Sequence, residues 1–204
     1  MTAIIVASIV VALPSTNFQV AVIAHVQELL RGHQDPDSRR ILVSAAPQAI
    51  WLYYTMMDAP DTHSIYISGL YSVIASSDVD RKRFMPLALR HLTHPKAGVR
   101  SAAVTFIGSV GTAADSGPLL VLLSDADPDS NDTAYTVARV LGWIGDERTV
   151  VALDVWLLRA RKPDRDPNHP SSLVRYVAKA RDEIKARLAA EKAKAPPAKN
   201  AAKP

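Results

Sequence analysis

Two stretches of the sequence carry the same pattern: Pro86–Gly111, PLALRHLTHPKAGVRSAAVTFIGSVG, and Pro118–Asp146, PLLVLLSDADPDSNDTAYTVARVLGWIGD. Each opens on a short apolar run that starts at a proline and passes through a turn at His94-Pro95 or Asp127-Pro128. Each then closes on a longer run that ends in a G-x-x-G pair. The Gly108/Gly111 and Gly142/Gly145 pairs lie 34 residues apart, and the two turns lie 33 apart. A fixed period of this size marks a repeat architecture, in which one supersecondary unit buries its apolar face against the next.

Periodicity identifies the unit as a pair of helices. Val99, Ala102, Ala103, Phe106, Ile107 and Val110 fall at i, i+3, i+4, i+7, i+8 and i+11, one face of an α-helix. Ala134, Val137, Ala138, Leu141 and Ile144 or Gly145 nearly repeat that stripe. A shorter apolar helix, around 85–93 or 117–124, precedes each and is closed by Pro95 or Pro128, because proline cannot continue a helix. The small Ala and Gly positions let neighbouring helices approach closely.

At these residues the sequence resembles the HEAT-repeat family, in particular the short bacterial HEAT-like repeats of phycobilin-lyase-type proteins. The family pattern is roughly a D-P turn, then V-R-x-x-A-A-x-A-L-G-x-I-G-D. His94-Pro95, Val99-Arg100, Ala102-Ala103, Ile107-Gly108 and Val110-Gly111 follow it. The second copy keeps Asp127-Pro128, Leu141-Gly142, Ile144-Gly145 and Asp146. It has one extra residue in the turn, and Ala134 stands at the family arginine position, which interrupts any continuous Asp-Arg ladder there. The resemblance implies an all-α, HEAT-like α-solenoid of about four to five antiparallel helix pairs. Arg100 and Arg175, at the family arginine position, are then structural groups bonded to adjacent turns.

Outward from the clear pair the units weaken. Val150, Val151, Leu153, Leu157 and Leu158 predict a helix after Asp146, and Leu173, Val177, Ala180, Ile184 and Leu188 predict another opened by Val174-Arg175. Upstream, Ile65 to Ile74 reads as a degenerate unit, and 18–31 and 37–57 read as helices, the second kinked or split at Pro47. Residues 161–170, RKPDRDPNHP, form a long charged turn in the last pair, taken as a solvated insertion. No segment argues for strands. The array is therefore assigned to 18–192, between an apolar segment 1–17 and a tail 193–204.

The two ends differ in character. Ala3 to Leu13 is an apolar run broken only by Ser8, too short for a bilayer span of about 20 residues. It has the length of a signal-peptide core and is followed by Pro14-Ser15-Thr16-Asn17, but no positive segment precedes it. A signal peptide implies an exported or periplasmic protein; a buried first element implies a cytoplasmic one. The alanine-, lysine- and proline-rich tail lacks apolar residues able to offset ordering entropy, so disorder is expected beyond about 192.

Composition excludes several chemistries. The 204 residues include no cysteine, which removes disulfides, thiolate metal sites and cysteine nucleophiles. The 8 glycines form neither G-x-G-x-x-G nor a phosphate loop, so nucleotide hydrolysis has no support. The net charge is +4, yet residues 185–204 alone carry +5, which leaves −1 for residues 1–184. The basic character belongs to the C-terminal segment, and the body is close to neutral.

A solenoid makes function a matter of surface, with a long face built from the second helix of each pair. Tyr135, Arg139 and Trp143 recur at i, i+4 and i+8 beside the core stripe, and aromatics with an arginine are the residues binding hot spots use. The matching positions of the first copy are Ser101, Thr105 and Ser109. His91 and His94, at i and i+3, lack the carboxylate or third ligand a zinc site needs, so no metal is expected. The HEAT-like di-iron hydroxylases use His-Glu dipeptides, and none of the six histidines here precedes Glu. No G-x-S-x-G elbow is present either.

The expectation is a non-enzymatic interaction or scaffold module without cofactor, binding a protein or peptide through Tyr135, Arg139 and Trp143. Two alternatives follow from the resemblance. One is nucleic-acid binding, as in the HEAT-like alkylpurine DNA glycosylases, which the near-neutral body disfavours. The other is an accessory subunit of a lyase-type enzyme, which rests on fold-level analogy alone.

Overall fold

The computed structural model describes residues 16–31, 35–126, 132–160 and 171–194. Every regular element among them is helical. The helices are α1 (Thr16–Arg31), α2 (Pro36–Asp58), α3 (Ser64–Ser76), α4 (Met85–His91), α5 (Ala97–Val110), α6 (Ser116–Ser124), α7 (Asp132–Ile144), α8 (Glu147–Ala160) and α9 (Ser172–Lys194). Short 3₁₀ turns, Arg81–Phe84 and Ala113–Asp115, lead into α4 and α6. The all-α expectation holds, and the helices fall where the periodicity put them. The apolar segment 1–13, the Asp127-Pro128 turn, the 161–170 insertion and the tail from 195 lie outside the described residues. Ala193 and Lys194, placed in the tail by composition, belong to α9.

Contacts divide the chain into two compact units, Met1–Gly111 and Thr112–Pro204, so the two clear repeat copies fall one in each. In the first unit α3 packs on both α1 and α5, α2 packs on α1 and α3, and α4 lies against α5. In the second, α9 packs on α7 and α8, and α6 on α7 and α8. Each helix thus touches its sequence neighbour or the helix one further on, the pattern expected when every connection is a short turn.

In the first unit, Asp35 caps α2 by accepting the Ser38 N–H at 2.8 Å, with Pro36 at the first helical position, where its missing N–H costs nothing. The Ser38 N–H also holds the Asp35 carboxyl below its ordinary range. Within α2 the Tyr53 hydroxyl donates to the Leu42 carbonyl at 3.0 Å. Eleven residues span about 16 Å of a straight helix, well beyond a tyrosine side chain, so α2 bends at Pro47. On α5, Val99, Ala103, Phe106 and Ile107 of the predicted stripe are buried, with Ala102 and Val110 half-buried at its edges. Phe106 meets Tyr71 of α3 at a ring-centroid distance of 4.8 Å. Full burial of Val99, Phe106 and Ile107 contributes about 1.5–3 kcal/mol each by taking the side chain out of water.

In the second unit α7 buries Ala134, Val137, Ala138 and Leu141, and α9 buries Leu173, Val177, Ala180 and Ile184. Glycine sets the closeness of these two helices. A Cβ at Gly142 would stand 3.3 Å from the Ala180 Cα, and one at Gly145 would meet Ile184 Cδ1 and Thr149 Cγ2 at 2.7 Å. Arg187 of α9 then donates to the carbonyls of Gly142 (3.0 Å), Trp143 and Gly145, satisfying the open end of α7. Next in the chain, Asp146 Oδ1 accepts the Thr149 N–H at 3.0 Å and starts α8; that bond keeps the Asp146 carboxyl below its ordinary range.

Candidate functional site

The three residues singled out in the second repeat stand along the outer edge of α7, and α9 supplies a fourth. Tyr135 is half-buried, its ring edge-to-face with Tyr176 of α9 at 5.2 Å between centroids. Such pairs add about 0.5–1.5 kcal/mol beyond area burial. One turn on, the Arg139 guanidinium lies over the Trp143 ring, 5.2 Å from its centroid. Trp143 is 50% exposed and Tyr176 is 48% exposed, so both aromatic groups remain open to a partner. Half of the Trp143 indole stays in water, and its ring carries the Arg139 guanidinium.

Charge around this face is uneven. The Arg139 guanidinium has no ion pair or hydrogen bond among the described residues, and the Arg175 side chain donates only to Ser172 Oγ, at 3.2 Å. By contrast Lys179 pairs with Glu183 at 3.8 Å, and Arg181 and Lys185 both reach Asp154, at 3.1 and 3.4 Å. Burial tends to raise the Asp154 carboxyl, and the two cations outweigh it and hold it low.

The matching face of the first unit has different chemistry. Ser101, Thr105 and Ser109 of α5 line a groove of about 300 Å³ against α3, with Ser68 and Ser72 on the opposite wall. Its hydroxyls are partly spent on their own helix: Thr105 donates to the Ser101 carbonyl at 2.9 Å and Ser109 to the Phe106 carbonyl at 2.7 Å.

The histidine pair is structural. His91 is 7% exposed, and its Nδ1 is hydrogen-bonded to the Tyr71 hydroxyl at 2.9 Å. Burial lowers the His91 pKa, helped by the His94 and Arg90 charges, and burial likewise raises the Tyr71 phenol, so both stay neutral at pH 7. His94 Nδ1 accepts the Lys96 N–H at 3.1 Å. No group of three or more metal-ligating side chains occurs among the described residues. Arg100 donates to the His94 and Pro95 carbonyls at 2.8 and 2.9 Å, tying the repeat turn to α5.

Sequence reasoning missed one surface. Val151, Val155 and Leu158 form an exposed stripe on α8, and Val121 faces outward on α6. Between these helices runs a groove of about 330 Å³, where the Trp156 indole donates to the Leu123 carbonyl at 2.9 Å. No described helix is long and apolar enough to cross a membrane. Comparison of the chain with known protein families, curated proteins and solved structures finds no match.

Proposed function

We propose that this chain is a HEAT-like helical-repeat module that binds a protein or peptide through the α7/α9 face and performs no catalysis. The pairing of sequence neighbours supports the solenoid reading, as do the contacts of α3 with α5 and of α7 with α9, second helices of successive pairs. The observation that carries the binding assignment is the Arg139–Trp143 stack. A large aromatic ring stays half in water, although burying it would stabilise the fold, and a guanidinium rests on it without a carboxylate partner. Tyr135 and Tyr176 extend the same surface with rigid rings that lose little entropy on contact.

A chain carrying Tyr135→Ala, Arg139→Ala and Trp143→Ala, its helicity checked by circular dichroism, is expected to lose a partner that the wild type retains in pull-down. Trp51→Ala, which removes an exposed tryptophan of α2, is expected to retain it. Equal capture by the triple variant would remove this face from consideration.

A further inference from the structure

We propose that the α7/α9 face selects acidic segments, gripping an Asp or Glu side chain of an extended peptide with Arg139 while Trp143 and Tyr176 pack the apolar residue beside it. This inference rests on the docking reading above and names the chemistry of the partner. The Arg139 guanidinium lies over the Trp143 ring, its carbon 5.2 Å from the ring centroid, and a cation held on a ring face keeps its N–H donors for other acceptors. None of those donors is hydrogen-bonded, and no carboxylate of the described chain comes within ion-pair distance. A planar fork held on an aromatic platform is pre-organised for bidentate contact with a carboxylate, which a lysine in its place would not be. Arg175, one residue from the exposed Tyr176, is a second guanidinium with no carboxylate partner.

The surrounding charges set the limits of the selection. Glu183 lies beside Gly142 and is engaged by Lys179, so it does not neutralise Arg139. A nucleic acid also offers anions, but the cations of α9 are largely engaged, Lys179 by Glu183, Arg181 and Lys185 by Asp154 and Lys192 by Glu147, which leaves a phosphate polymer no extended free basic track. A carboxylate flanked by an apolar side chain matches a guanidinium fork beside an exposed indole better than a regular line of phosphates does.

The test uses the full chain and fluorescence anisotropy with three labelled probes: a short peptide alternating Glu with Leu, its Gln-for-Glu counterpart, and an oligo-dT strand. The Glu peptide is expected to bind about tenfold or more tighter than the Gln peptide, the discrimination a charge-assisted pair supplies. Arg139→Gln, and Arg139→Lys to a large degree, are expected to erase that ratio, while Trp143→Ala weakens both peptides together. Equal binding of the Glu and Gln peptides, both lost in Trp143→Ala, would overturn the acidic selectivity and leave the docking face standing. Tighter binding of oligo-dT through Arg139 would overturn the peptide assignment, and absence of binding by the Glu peptide to the folded chain would overturn the inference outright.

Discussion

Positions 101, 105 and 109 and positions 135, 139 and 143 occupy the same places in two copies of one repeat, yet the first unit presents hydroxyls there and the second presents Tyr, Arg and Trp. The inward stripes of the two copies are similar: Val99, Ala103 and Ile107 in α5, and Ala134, Val137, Ala138 and Leu141 in α7, are all buried. The repeat therefore constrains the side chains that close the core and leaves the outer edge of the second helix free to diverge. In the first unit that freedom produced short side chains bonded to their own backbone. In the second it produced exposed aromatic area and a cation without a carboxylate partner among the described residues.

The contrast can be broken at its core first. Phe106 fills the first unit against Tyr71, while its counterpart 34 positions on is Val140, also fully buried. Phe106→Ala is expected to cost about 3–5 kcal/mol in denaturant unfolding, and Val140→Ala clearly less, because the cavity left scales with the atoms removed. Equal losses would mean that the two copies do not share one packing frame.

The glycines give the next effect. Gly145→Ala forces a methyl against Ile184 and Thr149 and is expected to destabilise by about 1–3 kcal/mol. Gly98, in the first unit, has nothing nearer than the Ser64 Cβ at 3.9 Å, so Gly98→Ala is expected to be neutral or stabilising by up to about 1 kcal/mol through helix propensity. A neutral Gly145→Ala in thermal melts would contradict the close approach of α7 and α9.

The smallest effect is a pH dependence confined to the first unit. Among the described residues only that unit buries an ionisable base, His91; the buried polar groups of the second, Ser116 and Thr149, do not titrate. With its folded pKa below the ordinary 6.5, His91 contributes fully to stability above pH 6.5. That contribution is lost as pH falls below 6.5, where the unfolded chain takes the proton first. Tm is expected to drop between pH 7.5 and 5.5 in the wild type and to change less in His91→Gln. The lowered carboxyls of Asp35 and Asp146 act only below their ordinary 3.8, outside this window. A Tm that is flat across the window in the wild type would count against the buried neutral histidine.

Much of the fold was legible because the repeat writes helix periodicity twice. The stripe on α5 and a helix after Asp146 follow from local pattern, and the turn-binding role of Arg100 follows from the resemblance of its repeat. The surface was less legible. In the run Val150 to Leu158, apolar residues occupy two faces, and periodicity alone does not tell which is buried; Val150, Leu153 and Leu157 turn inward, and Val151, Val155 and Leu158 turn out. Tyr176 could not be joined to Tyr135 from spacing, since the pair forms only when α9 crosses α7. Arg187 likewise reads in sequence as one more tail cation, whereas its role as a cap depends on three carbonyls more than 40 positions away.

That clamp bears on the order in which the protein is made. Every listener to Arg187, from Gly142 to Gly145, leaves the ribosome well before the arginine does, and α9 also supplies the partner surface for both α7 and α8. The first unit closes on contacts made entirely before residue 112, so it is able to fold while synthesis continues. The second waits for its last helix, without which the carbonyls of Gly142, Trp143 and Gly145 lack the guanidinium that caps them.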